Sequence, residues 1–137
     1  MPHLRARFPR TNQGAKIAEQ RSNDWLGSPH TNLLAWWAPK AAIIATLFVD
    51  TSLRAAVWTV ALLWMGTACF LNARRCGRTH CRYTGSYYWA MIPPVLVLGF
   101  ELIPASIYEW IAFAFLIVCG SWVIRWKTEQ VWGRYSA

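Results

Sequence analysis

Charge is scarce in this sequence. Only 15% of its 137 residues are Asp, Glu, Lys or Arg, against roughly 25% in an ordinary soluble domain, while 55% are hydrophobic and 15% aromatic. A soluble chain of this size could not hide so much apolar surface, because small domains bury the smallest share of their area. The shortage therefore argues against an ordinary water-soluble domain and leaves the lipid bilayer as the partner for the excess. Acid is the rarest charge, 6 residues against 14 basic ones, for a net charge of +8. A nucleic-acid partner would explain that balance. The sequence holds no RNA- or DNA-binding motif, however, and its basic residues fall between hydrophobic segments rather than along one polar face, so no nucleic acid is expected.

The usual marks of catalysis are missing as well. There is no Gly-rich phosphate loop, no nucleophile elbow and no zinc-protease helix, and little extramembrane mass to house a soluble active site. The expectation is that the chain is not an enzyme. Internal repeats are absent. Residues 1–30 contain no apolar core of signal-peptide length, so no cleavable signal is expected. Arg5, Arg7, Arg10, Lys16 and Arg21, spread among Pro, Asn, Gln and Ser, predict a flexible basic tail over 1–32. His3 and His30 lie in that tail without a partner that the sequence identifies.

What is present is apolar and periodic with lipid. Three stretches, about 53–73, 87–103 and 107–124, each approach the ~20 residues that a helix needs to cross the hydrocarbon core. Helix is required there because lipid offers no partner to unpaired backbone groups. A fourth stretch, 33–49, is shorter and carries Pro39 and Lys40. It either spans, with Pro39 kinking it and the Lys40 stem snorkelling, or lies along the interface as an amphipathic anchor. Charge favours spanning. With four crossings and both termini in the cytoplasm, 12 of the 14 Lys and Arg residues fall inside, and Arg54 lies outside with Asp50, Glu101 and Glu109. Three crossings would leave either the basic tail or the basic loop outside.

The expected fold class is thus all-α, a polytopic integral membrane protein of the bacterial inner membrane with four, alternatively three, transmembrane helices. Its plan is a cytoplasmic tail over 1–32, a transmembrane domain over 33–126 and a second short cytoplasmic tail over 127–137. Asp50-Thr51-Ser52 and Pro104-Ala105-Ser106 read as tight hairpins whose Ser or Thr can cap the next helix, and Pro93-Pro94 should bend the third helix. Ten tryptophans suit membrane boundaries or helix packing. Tyr83, Tyr87, Tyr88 and Trp89 open an interfacial belt.

Chemistry is concentrated between the second and third stretches. Cys76 and Cys81 are separated by four residues, His80 adjoins Cys81, and Gly77 lets the chain turn. Arg74, Arg75, Arg78 and Arg82 should favour the thiolate, the form that binds metal, or else fix topology and contact anionic lipid. Cys69 precedes Cys76 by seven residues and shares its face if the helix continues. At about 1.5 Å per residue, Cys69 and Cys119 each lie roughly 8 Å below the cytoplasmic boundary. Reduced cytoplasmic thiols favour structural, metal or redox roles over disulfides, and soft thiolates select Cu(I), Zn(II) or Hg(II). Cys76, Cys81 and His80, with Cys69, form the candidate metal site; Cys69 and Cys119 are small residues that read more readily as packing. Thr84-Gly85-Ser86 predicts the turn into helix three, with Ser86 as its cap. Glu101 and Glu109, across a short hairpin, are either a cation or proton site or water-facing groups at the outer interface.

The block Asn72-Ala-Arg-Arg-Cys76-Gly-Arg-Thr-His80-Cys81-Arg-Tyr-Thr-Gly85, with Trp132-Gly-Arg-Tyr135 near the end, resembles a group of small uncharacterised bacterial four-helix membrane proteins. These share an Asn-x-x-Arg-Cys-Gly-Arg-x-His-Cys-x-x-Thr-Gly-Pro block after one helix; Ser86 departs from the usual Pro. The resemblance implies a helical membrane fold over about 53–135 and no particular activity. A looser similarity of plan is to mercuric-ion transporters, whose paired cysteines in the first helix are missing here. Three functions follow from these readings. One is soft-metal handling in transport or resistance. Another is an accessory subunit packed in a larger membrane complex through Trp-rich faces and small residues such as Gly66, Ala68 and Ala73. A thiol–disulfide protein is the third, which would need the cysteines outside, against the charge rule.

Overall fold

The computed structural model describes residues 10–133, with side chains from residue 14 onward. Arg5, Arg7, His3, Arg134 and Tyr135, and the side chain of Arg10, lie outside the described residues. Every regular element among those described is a helix: α1 (Arg10–Ser22), α2 (Pro29–Asn32), α3 (Ala38–Ala45), α4 (Thr51–Cys76), α5 (Thr79–Ala90), α6 (Ile92–Gly99) and α7 (Ile107–Trp132).

The first apolar stretch is helical in pieces. Pro39 has no N–H to give the carbonyl four residues back, and the chain answers with a π turn over Leu33–Trp37 in which the Ala38 N–H reaches the Leu33 carbonyl. A 3-10 turn, Thr46–Phe48, then ends the run. α4 follows as the central helix, packed against α3, α5 and α6, with α7 against α5. Its cap is neither Thr51 nor Ser52: the Asp50 carboxylate accepts the Leu53 N–H at 2.9 Å. A carboxylate at this position also suits the positive end of the helix dipole.

The largest departure from the sequence expectation lies between the second and third stretches. The predicted loop is reduced to Gly77 and Arg78, so Cys76 closes α4 and Cys81 sits in the first turn of α5. Gly77, at φ 66°, takes the left-handed conformation that ends α4 without a Cβ clash. Thr84-Gly85-Ser86 is helix interior, and Ser86 Oγ donates to the Arg82 carbonyl at 3.2 Å instead of capping. The reason is close packing of α5 on α4. A Cβ on Gly85 would lie 3.2 Å from the Gly66 carbonyl oxygen and 3.3 Å from Cys69 Cβ, and one on Gly66 would collide with the Trp89 ring at 2.2 Å. The small residue Gly66 is therefore consumed inside the chain, along with buried Ala68.

Pro93 and Pro94 divide the third stretch as expected, since two carbonyls lose their donors. α5 stops at Ala90 and α6 starts at Ile92. α6 ends at Gly99 rather than near 103, because Glu101 swings to φ 54°. Ser106 begins α7 without a side-chain bond to its backbone; its hydroxyl donates instead to the exposed Glu109 carboxylate. α7 runs past 124 to Trp132, so part of the predicted second tail is helix.

Trp58 anchors the core. It meets Trp110 edge to face at 5.0 Å and stacks with Phe113 at 6.5 Å. Arg54 is buried beside them, donating to the Thr46 and Val49 carbonyls at 3.3 and 2.6 Å with its guanidinium 4.9 Å from the Trp110 ring. Two helices, α4 and α7, are long and apolar enough to cross a membrane. Half of the most apolar stretch of α4 is buried, but only 22% of that of α7. Tyr108, Ile111, Phe115, Trp122 and Trp126 all remain exposed along α7.

Candidate functional site

One polar residue late in an apolar helix organises the site. Asn72 of α4 is fully buried, and its side-chain oxygen accepts the Trp25 N–H at 3.0 Å. Its Nδ2 donates to Asp24 Oδ1 at 3.0 Å and lies 3.5 Å from Cys81 Sγ. Asp24 also accepts the Leu26 N–H at 3.0 Å and bonds the Arg78 guanidinium through its other oxygen. The segment after α1 is thereby seated on the bundle, with Thr31 Oγ1 donating to the Trp25 carbonyl at 2.5 Å and Arg75 lying over the Trp25 ring at 5.3 Å. With α1 helical over Arg10–Ser22, this differs from the flexible tail expected over 1–32. A carboxylate this deeply buried would be costly without such partners.

Arg78 reaches across to a second acid. Its guanidinium lies 3.4 Å from Glu129 Oε1 on α7, and the same oxygen is 2.7 Å from His80 Nδ1. Burial by itself would raise the Asp24 carboxyl, but the bonds from Asn72 and Leu26 and the Arg78 charge outweigh it and hold the group below its ordinary 3.8. Burial likewise opposes the Arg78 charge; Asp24 first, then Glu129, hold the guanidinium above its usual value. A depressed carboxyl contributes stability that is fully present above its unfolded value and lost as pH falls through the folded one. Acidification below 3.8 is therefore expected to release the Asp24 segment before α4 opens. Hydrogen exchange would read this as lost protection at the Leu26 and Gly27 amides with α4 still protected. Equal protection at pH 6 and pH 3 would contradict it.

The candidate ligands are partly gathered by this frame. The Cys69 and Cys81 thiols lie near enough to influence each other's protonation, Cys81 Sγ lies 3.4 Å from His80 Nε2, and the Trp36 indole N–H donates to Cys69 Sγ at 3.2 Å. Cys76, also buried, is turned to its own helix, where Sγ donates to the Asn72 carbonyl at 3.0 Å. Cys119 is half-buried near Tyr87 and does not belong to the group. Among the described residues, no three His, Cys, Asp or Glu side chains are already disposed to hold a metal ion.

The arginine argument for thiolate does not hold at Cys81. Arg74, Arg75 and Arg82 are exposed, and Arg78 is engaged with the two acids. The hydrogen bond with Cys69, and then burial at 0% exposure, push the Cys81 thiol up, offset only in part by His80. The resting form is the neutral thiol.

Trp36, Lys40, Cys69, His80, Thr84, Tyr88, Ser121 and Arg125 are among the residues lining a cavity of about 210 Å³ beside the thiols. Glu101, Glu109 and His30 are exposed and away from it. Sequence reasoning missed Asp24, Asn72, Glu129 and Trp36. Two of them had a signal, since Asp24 and Glu129 belong to a chain with only 6 acidic residues. Comparison with known proteins finds no matching family model, no matching curated protein and no matching solved structure.

Proposed function

We propose that this chain is a multi-pass membrane protein that takes up a soft metal ion at Cys69, Cys81 and His80, in transport or resistance. The observation that carries the metal reading is the alignment of Glu129, His80, Cys81 and Cys69. The Glu129 carboxylate stands 2.7 Å from His80 Nδ1 without making a well-aligned hydrogen bond to it; its charge there favours a proton on Nδ1, which leaves the Nε2 lone pair toward Cys81. A carboxylate orienting a histidine in this way is the common outer support of metal sites. Two neighbouring thiols suit a two-coordinate soft ion such as Cu(I) or Hg(II) better than Zn(II), which prefers four ligands. The bond from Cys76 to the helix backbone leaves that thiol in a supporting place.

The apolar outer face of α7 supports the membrane reading, since water would penalise such a row at about 25 cal/mol per Å². Four crossings, with spans near 33–49, 53–73, 87–103 and 107–124, agree best with the basic residues. The pairing of Arg78 with both Asp24 and Glu129 supports the same count. It draws the segments near the two chain ends to one side, as an even number of crossings requires. The test is Cu(I) and Hg(II) binding to the detergent-purified protein beside the Cys69→Ser/Cys81→Ser double variant. Binding confined to the wild type upholds the reading, and equal binding or none removes it.

A second reading, an accessory subunit of a membrane complex, draws on the exposed Trp37, Trp64, Trp122 and Trp126. It expects a stable partner to co-purify in mild detergent and to be lost when Trp122 and Trp126 are changed together to alanine. A homogeneous single species without metal dependence in the interaction would count against it.

A further inference from the structure

The cavity beside the thiols has features that the metal reading does not use. Lys40 and Arg125, on α3 and α7, line it together with Thr84, Tyr88 and Ser121. No carboxylate pairs with Lys40 among the described residues, while Arg125 has Glu129 at 3.8 Å through Nε and keeps about half of its side chain exposed. Thr84 is 5% exposed, and its hydroxyl has no hydrogen-bond partner among the described residues. That sets it apart from Thr46, Thr59, Ser86 and Thr128, which all donate to the carbonyl four residues back. A buried hydroxyl left without a partner costs free energy, and a ligand oxygen would supply one.

We propose that this cavity binds a phosphate-type oxyanion, held by the charges of Lys40 and Arg125 and by the Thr84 hydroxyl. Two like charges converging on one cavity repel each other, and an anion between them relieves that repulsion. At about 210 Å³ the space admits a phosphate but not acyl chains, which would lie outside along the exposed Trp37 and Trp122. The source is therefore either free phosphate or the headgroup of an anionic phospholipid, since the cavity lies toward the basic end of the bundle. The proposal does not depend on Cys81 or on any metal.

The experiment uses the full chain in detergent, titrated with inorganic phosphate, and in nanodiscs of phosphatidylglycerol or phosphatidylcholine, with lipid retention read by native mass spectrometry. Lys40→Gln removes the unpaired charge. Thr84→Val removes only the hydroxyl and keeps the shape of the side chain, so its fold serves as a second route if Lys40→Gln unfolds. Phosphate binding weakened at least about tenfold by Lys40→Gln and several-fold by Thr84→Val supports the site with a free anion. Selective retention of phosphatidylglycerol over phosphatidylcholine, lost in the same variants, supports it with a lipid headgroup. Binding that neither variant changes, or no binding of either ligand, overturns it. Cu(I) titration of Lys40→Gln separates the two readings, because intact metal binding with lost oxyanion binding leaves the thiol site standing, and Cys81→Ser should bind oxyanion as the wild type does.

Discussion

Cys81→Ser and Cys69→Ser are each expected to weaken Cu(I) or Hg(II) binding by at least about 100-fold, while Cys76→Ser stays within about threefold of the wild type. The difference comes from where the three thiols point. Cys69 and Cys81 are near neighbours across the α4–α5 packing, and serine in either place substitutes a hard oxygen for a soft sulfur. Cys76 is tied to the Asn72 carbonyl at 3.0 Å, and serine can make the same bond. Glu129→Gln should cost about 10–100-fold, as outer supports of metal ligands commonly do. The pH dependence has a definite sign. The Cys81 thiol is pushed up and must lose its proton to bind metal, so affinity should rise with pH, by up to about tenfold per unit for each proton released. Competition against a chromophoric Cu(I) chelator under reducing conditions measures all four variants on one scale. Equal loss in Cys76→Ser and Cys81→Ser would mean that the thiols rearrange on binding and that the resting geometry is a poor guide.

Arg78→Met is expected to destabilise the folded chain by about 3–5 kcal/mol, the usual cost of leaving a buried charge without its partner. The Asp24 side chain is 3% exposed and Glu129 18%, so neither carboxylate can recover its lost neighbour through water. The companion variant is Asp24→Leu/Arg78→Met. Replacing both members of a buried pair by apolar groups is often neutral or better, and the double variant should regain most of the loss. Denaturant unfolding in detergent of the wild type, Arg78→Met, Asp24→Leu and the double variant gives the four values needed for a double-mutant cycle. If Arg78→Met alone costs less than about 1 kcal/mol, the segment around Asp24 is held by Asn72 and the Trp25 backbone rather than by charge. Hydrogen exchange at Leu26 would then be unchanged as well.

The apolar stretches told where the helices run, because length and hydropathy are local properties of the chain. The outward face of α7 and the division of the third stretch at Pro93-Pro94 follow from residues read in order. So does the turn at Gly77, where a left-handed residue was wanted and glycine supplies it. The extent of α5 was harder to read. Thr84-Gly85-Ser86 carries turn composition, and only its seat against Gly66 makes a glycine there a packing choice.

The site divides in the same way. Cys76, His80 and Cys81 were visible as a cluster because they are neighbours in sequence, and that closeness alone made them candidates. Which of them face one another was decided by the packing of α5 on α4, which brings Cys69 to Cys81 and turns Cys76 back to Asn72. Asp24 and Glu129 are separated from the cluster by long stretches of chain; Arg78 joins both to it, Asn72 also bonds Asp24, and Glu129 also stands against His80. The protonation of Cys81 was set by the same event. Composition predicted thiolate from nearby arginines, but helix geometry sends three of those arginines outward and surrounds the sulfur with protein instead of water. By itself the sequence determined the all-helical class, the apolar excess and the address of the cysteines. Tertiary structure decided which side chains meet and which charges are desolvated, since those depend on the contacts between helices and not on the order of residues within one.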